Sequence, residues 1–436
     1  MSQPPKGRVS SEASRRGIGA PTTSGVGGPE NTDTVPRPIR VCHLADVHLG
    51  YRRYNKLARN GQNQREVDVN LAFQESISRI ISLKPDVVVI AGDLFHSVRP
   101  SNYVVTFCFR QLRKLTRDTG APVVIVGGNH EAPKRTDTGS VLQLLGEIDG
   151  IYVADSDIET FTFKNLSCSV TCIPHLALLK DPAQQQGAPS VGGSKGSLQH
   201  GRFDLRADDS CKHNILVVHA QVNEDWVSDF GGVELDLRAL SPHEWDYIAL
   251  GHVHLHRQVG LNAAYAGAVE HTANNIWAEA KEVKGFLEVN LPSAKRTFHP
   301  LTTPRDVVVL EPLDALDMTP EWVMDAISER IHSVAGGIEG KIARLDIKNI
   351  SRETYRNLNH KEIRALKAKA LNLSIDISFV SSTPAAHAVS RPGKGLLRDE
   401  LEAFCSTWQV PGVTKEELSS VLLSYVTRIE AKYEAS

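Results

Sequence analysis

Between Ile39 and Val126 the chain alternates short apolar runs with longer amphipathic ones, and no other feature constrains the fold as much. Ile39 to Leu44 is an apolar run of strand length. The stretch Glu66 to Leu83 carries Val69, Phe73, Ile77 and Ile80 on one helical face. Asp86 to Ala91 gives a second buried strand, Tyr103 to Leu115 a second helix, and Pro122 to Val126 a third strand. Strands alternating with helices make a sheet covered on its faces. Two later runs, Ile215 to Val218 and Tyr247 to Leu250, lack comparable helices between them, which predicts a second sheet or mixed pairing. The fold class is α/β with a mixed core.

The chain has 436 residues, 41% of them apolar, enough for two or three domains. Residues 1–38 are rich in Gly, Pro, Ser and Thr without an apolar core segment, so they are expected to be a disordered tail and not a secretory signal. Residues 39–300 form the main domain. Within it, 181–209 is polar and Gly-rich, and is expected to be a flexible insertion. Residues 305–380 change pattern, with strands at Val307–Leu310, Ile342–Ile347 and Leu373–Phe379 and helices at Pro320–Ser333 and His360–Ala370. This predicts a small α/β domain. A linker, 381–395, then leads to a terminal helical segment, 396–436, whose apolar spacing (Leu397, Leu401, Phe404, Trp408) suits packing on another helix, in a partner or in this chain.

Lys plus Arg (49) nearly balances Asp plus Glu (51), so any nucleic-acid contact must come from local patches such as Lys361, Arg364, Lys367 and Lys369. A solvated helix face explains the same charges. The six cysteines are scattered, as in a reduced cytoplasmic protein. Cys168 and Cys172 have neither zinc-ribbon nor redox spacing and are expected to be core residues. No apolar stretch approaches the ~20 residues of a membrane helix, so no membrane association is expected.

Five polar motifs stand at or just beyond predicted strand ends: Asp46-x-His48, Gly92-Asp93, Gly128-Asn129-His130, His219, and Gly251-His252-x-His254. Strand ends are where α/β folds put their sites. Each motif is common by itself; all five in this order are not. Imidazole, carboxylate and amide oxygen suit Mn, Fe or Zn. Two ions about 3.5–4 Å apart need a ligand spanning both, and a carboxylate does this best. Asp93 is the expected bridge, with Asp46, His48 and His254 completing one site and Asn129, His219 and His252 the other. In D-x-H and H-x-H, residues two apart in an extended segment would face the same way. Glycines 92, 128 and 251 are expected to let the backbone turn sharply as each strand ends.

With these motifs the chain resembles the calcineurin-like metallophosphoesterase superfamily, and within it the SbcD family of DNA repair exonucleases, bacterial relatives of the meiotic-recombination nuclease. Asp46-Val47-His48-Leu49-Gly50 and Gly92-Asp93-Leu94-Phe95-His96 look like that family's D-x-H-L-G and G-D-L-F-H. Tyr265-Ala266-Gly267-Ala268, Glu279 and Lys284-Gly285-Phe286 are similar to its tail strand. The resemblance runs from about Ile39 to Leu291 and extends less closely over 305–379, placed as the family's DNA-facing cap. It implies a metallophosphoesterase-type mixed β-sheet sandwich flanked by helices, with a small α/β cap and a C-terminal helical segment. It also implies a two-metal phosphodiesterase using Mn2+, acting as exonuclease or endonuclease on DNA double-strand ends. The seven ligands carry over as assigned, His130 becomes the catalytic histidine, and His96 a phosphate-contacting one. The implied partners are DNA, an SbcC-like ABC-type ATPase with a coiled coil, and a second copy of the chain. No G-x-x-x-x-G-K-[ST] segment occurs here, so nucleotide hydrolysis would come from that ATPase. One departure is Glu131, where the family usually shows Asp; that acid would orient His130. The alternative activity is a small-molecule or protein phosphoesterase with the same metals, since fold and metals do not separate the two.

Overall fold

A computed structural model describes residues 38–133, 139–180, 205–222, 233–380 and 414. The expected tail (1–38, except Pro38), most of the 181–209 insertion, the 381–395 linker and the 396–436 helical segment, except Thr414, lie outside the described residues.

The first half alternates as the periodicity predicts: β1 (Ile39–Leu44), α1 (Gln64–Leu83), β2 (Val87–Ile90), α2 (Asn102–Thr119), β3 (Val123–Val126), and then β4 (Ile151–Ala154). Both helices start on side-chain caps. The Asn63 side chain accepts from Arg65 N and the Ser101 hydroxyl from Val104 N, so each satisfies an otherwise orphaned donor. β1 to β4 run parallel.

The next strands build a second sheet from β5 (Glu159–Phe163), β6 (Cys168–Ile173), β7 (His213–His219) and, after the separate parallel pair β8 (Gln221–Val222) and β9 (Glu234–Leu235), β10 (Tyr247–Gly251), β11 (Arg257–Gln258) and β12 (Ala263–Tyr265). Its order is β11-β12-β10-β7-β6-β5. The chain returns to the first sheet through β13 (Gly285–Leu291) and β14 (Lys295–Pro300), which gives the order β14-β13-β1-β2-β3-β4 with β13 antiparallel to β1. Both sheets are therefore mixed.

Alternate residues of each central strand feed opposite cores, because side chains alternate across a strand. On the first sheet Val88 and Ile90 pack under α1 and α2, while Val87 and Val89 face the second sheet. On β7, Ile215 and Val217 meet that same inter-sheet core, and Leu216 and Val218 face outward to Trp245 and Leu240. The result is a two-sheet sandwich. Cys168 and Cys172 are buried in its inter-sheet core.

A third sheet of β15 (Val307–Val309), β16 (Leu313–Asp314), β17 (Ile342–Ile350) and β18 (Asn372–Phe379) is wholly parallel, with β17 at its centre and a core of its own. It is tied to α1 by Arg305, whose Nε donates to the buried Asp68 carboxylate at 3.0 Å. Among the described residues no helix is long and apolar enough to cross a membrane.

Candidate metal centre

The five motifs meet at one end of the sandwich. β1 stops at Leu44, and the chain beyond it runs beside the segment following β2. Asp46 N donates to Gly92 O, His48 N to Asp93 O and Leu49 N to Leu94 O. This corrects the expectation of an extended D-x-H. Asp46, His48 and Asp93 take φ of 51°, 55° and 51°, and His252 takes 95°. Side chains are aimed inward by left-handed backbone, which costs a non-glycine residue about 1–2 kcal/mol and survives only where surrounding bonds enforce it.

The glycines also act otherwise than expected. Gly92 does turn, at φ +88°. Gly128 and Gly251 have no such φ; they are required because a Cβ at Gly128 would lie 2.2 Å from Asp93 Oδ1, and one at Gly251 only 1.7 Å from Ala91 O. Close approach of neighbouring loops of the first sheet at Gly128, and of the two sheets at Gly251, excludes any side chain there.

His48 Nε2 and His254 Nε2 stand 3.0 Å apart, and Asp46 joins them in a group whose ligand atoms lie within 4.8 Å of one another. A second such group is Asp46, Asp93 and His219. Asn129 Oδ1 lies 2.9 Å from His219 Nε2 and 3.1 Å from His252 Nδ1. Asp93 Oδ2 sits between the halves, 3.7 Å from His48 Nε2 and 3.5 Å from His219 Nε2. All seven expected ligands are thus brought together. A cation suits this donor set: two imidazole Nε2 atoms face each other at the separation of ligands about 90° apart around an ion ~2.1 Å from each. Carboxylate, imidazole and amide oxygen are the donors of borderline divalent metals.

The electrostatics of the bare protein divide the ligands into two pairs. Burial pushes the Asp46 carboxyl up to about 7, with His219 pulling against it. Burial would likewise raise Asp93, but His219 and His48 hold it well below the usual carboxylate range. Burial would lower His219, yet Asp93 and Asp46 hold it up at about 9. Burial drives His48 down to about 3. Neutral imidazole and ionised carboxylate are the forms that ligate a cation, so Asp93 and His48 already hold the ligating form, while Asp46 and His219 would give up protons to bind one.

His130 N donates to Asp93 Oδ1 at 3.0 Å, and its Nδ1 donates to His96 O at 2.9 Å. The ring stacks on His96 with centroids 5.0 Å apart. Both histidines line a cavity of about 520 Å³ together with His48, His254 and the wall Thr272–Asn275. Glu131 does not orient His130. Its buried carboxylate accepts Phe95 N at 2.6 Å and Gly128 N at 3.0 Å, joining the loops that carry Asp93 and Asn129.

Sequence reasoning missed the wall. Arg53 Nη1 holds it through Asn274 O at 3.0 Å, and no motif or periodicity marks either segment.

Residues 39–256, half of the chain, match the model of the calcineurin-like phosphoesterase family. The chain is similar to proteins named DNA double-strand break repair protein Mre11. That of Methanococcus maripaludis is 27% identical over 254 residues, 57% of this chain and 62% of the relative. That of Methanocaldococcus jannaschii is 30% identical over 252 residues, 57% and 61% respectively. That of Saccharolobus solfataricus is 28% identical over 216 residues, 50% and 49%. The chain spans about half to six-tenths of the length of these curated relatives.

Proposed function

Because this chain belongs to the calcineurin-like phosphoesterase family, we propose that it is a two-metal phosphodiesterase that cuts DNA at double-strand ends. The observation carrying the metal reading is the position of Asp93 Oδ2 between His48 and His219. Asp46, His48 and His254 would hold one ion, Asn129, His219 and His252 the other, and Asp93 both. Manganese is the cation we propose. When bound, such ions acidify water and neutralise charge developing on a phosphoryl group.

The remaining groups are the protein's own. His130 spends Nδ1 on His96 O, so Nε2 is the nitrogen free to face the cavity. A water oxygen forms the new bond to phosphorus and releases a proton to solvent, the ester P–O bond breaks, and His130 Nε2 gives a proton to the departing oxygen. His96 contacts a phosphate oxygen beside it. The burial of Asp46, His48, Asp93 and His219 keeps bulk water from screening these charges.

DNA as substrate is supported by the names of the relatives, by the G-D-L-F-H string at Gly92 to His96, and by a third sheet whose helix His360–Lys369 exposes Lys361, Arg364, Lys367 and Lys369. An SbcC-like ATPase and a second copy of the chain belong to the same proposal as partners.

The test compares manganese-dependent cleavage of linear duplex DNA with hydrolysis of bis-p-nitrophenyl phosphate, each over a salt series. Duplex cleavage falling steeply with salt is expected, because phosphate contacts release counterions. Salt-insensitive activity confined to the small ester would favour the phosphoesterase alternative instead.

A further inference from the structure

Each imidazole that ligates through one nitrogen needs its other nitrogen fixed, or the ring presents a proton where a lone pair is required. For His219 the fold supplies Ala91 O, 2.8 Å from Nδ1, which leaves Nε2 toward Asp93. His254 turns Nε2 toward His48, so the question falls on its Nδ1. That atom is buried and has no hydrogen-bond partner, and neither has the Oε1 of Glu279, which stands 3.5 Å away. The other oxygen of Glu279 is taken. Lys284 Nζ donates to Glu279 Oε2 at 2.5 Å and to His254 O at 3.0 Å. Glu279 and Lys284 are 2% and 1% exposed, so no water competes for either group.

We infer that Glu279, anchored by Lys284, is the positioning residue of His254: its free oxygen takes the Nδ1–H of the imidazole and leaves Nε2 bare for the cation. The inference rests on the proposal that His254 holds a metal. Lysine has donors only, so it dictates which end of residue 279 faces which neighbour. In Glu279→Gln the amide oxygen must face Lys284, and the NH2 then faces His254 Nδ1. Nδ1 becomes an acceptor, the proton moves to Nε2, and that nitrogen can no longer ligate. The change is nearly isosteric, so a purely structural role would leave metal affinity unaltered.

The experiment titrates Mn2+ into the full chain, free ion being counted by electron paramagnetic resonance, for wild type, His254→Ala and Glu279→Gln. Wild type is expected to take two ions and His254→Ala to lose one. Glu279→Gln should keep one affinity and weaken the other 10–100-fold, as removal of such orienting partners does. Fewer than two ions in wild type, or two undiminished in His254→Ala, would overturn the metal reading itself. Two undiminished affinities in Glu279→Gln, with His254→Ala impaired, would overturn only the role of Glu279. Independently of how the variant folds, nitrogen-15 spectra of histidine-labelled, metal-free wild type should show His254, identified as the resonance lost in His254→Ala, with its proton on Nδ1. A proton on Nε2 would contradict the inference.

Discussion

The Asp46 carboxylate accepts the backbone N–H of His252 through both oxygens, at 2.9 and 3.1 Å, although 206 residues separate the two in the chain. One bond pair thereby joins the loop ending β1 to the loop ending β10. The candidate ligands come from both sheets, so the centre exists only when the sandwich closes, and residues that permit that closure should matter as much as the ligands.

Gly251 is such a residue. In Gly251→Ala the new Cβ would meet Ala91 O at 1.7 Å, so the sheets must part, at a cost of about 3 kcal/mol. Gly120→Ala, at φ +69° in open space, should cost only about 1 kcal/mol. Denaturant unfolding of both variants makes the comparison. Equal losses would mean that close approach at Gly251 is not limiting.

Glu131→Ala should lower stability, not merely turnover. It strands the Phe95 and Gly128 N–H groups, each worth about 1–3 kcal/mol when buried and unpaired. If the variant unfolds at the wild-type denaturant concentration but turns over slowly, the acid acts on His130 after all.

His43 bears on acid stability. Burial drives its imidazole down to about 3 from 6.5, with His256 adding to the effect, and its Nδ1 meets the Tyr247 hydroxyl at 2.8 Å between the sheets. The folded state therefore binds this proton less readily than the unfolded chain. The contribution of the neutral ring is complete above pH 6.5 and is lost as pH falls toward 3. His43→Gln keeps a partner for Tyr247 but cannot titrate, so its metal-free denaturation midpoint should fall less than that of wild type between pH 6.5 and 4. Parallel pH curves would show that His43 contributes nothing to acid lability.

His130→Ala should keep two Mn2+ ions and DNA affinity while single-turnover cleavage falls by the ~10²–10³ typical of losing one transition-state donor. His252→Ala should lose an ion as well as rate. Cleavage by His130→Ala at the wild-type rate would remove it from the chemistry, and loss of an ion would make it a ligand.

Much of this was legible before any coordinates. β1, α1, β2, α2 and β3 announce themselves because their periodicity is local, and the seven candidate ligands because they stand where apolar runs stop. The edge hairpin of β5 and β6 was not legible because Thr, Ser and Cys break up its apolar runs, and β11 and β12 were not because only two or three residues carry each. Pairing partners were the other blind spot. Glu131 looked like a neighbour of His130, but its carboxylate serves Phe95, 36 residues back, and Arg305 meets Asp68 across 237 residues. The left-handed backbone at Asp46, His48 and Asp93 was likewise invisible, because it is imposed by cross-loop bonds and not by the residues themselves.

The most direct test of the account is the number of Mn2+ ions bound per chain by wild type and by Asp93→Ala. With Asp93 Oδ2 shared between the His48 and His219 sides, the account predicts two ions in wild type and loss of the pair in the variant, together with loss of cleavage. Two ions retained by Asp93→Ala, or none bound by wild type, would contradict it.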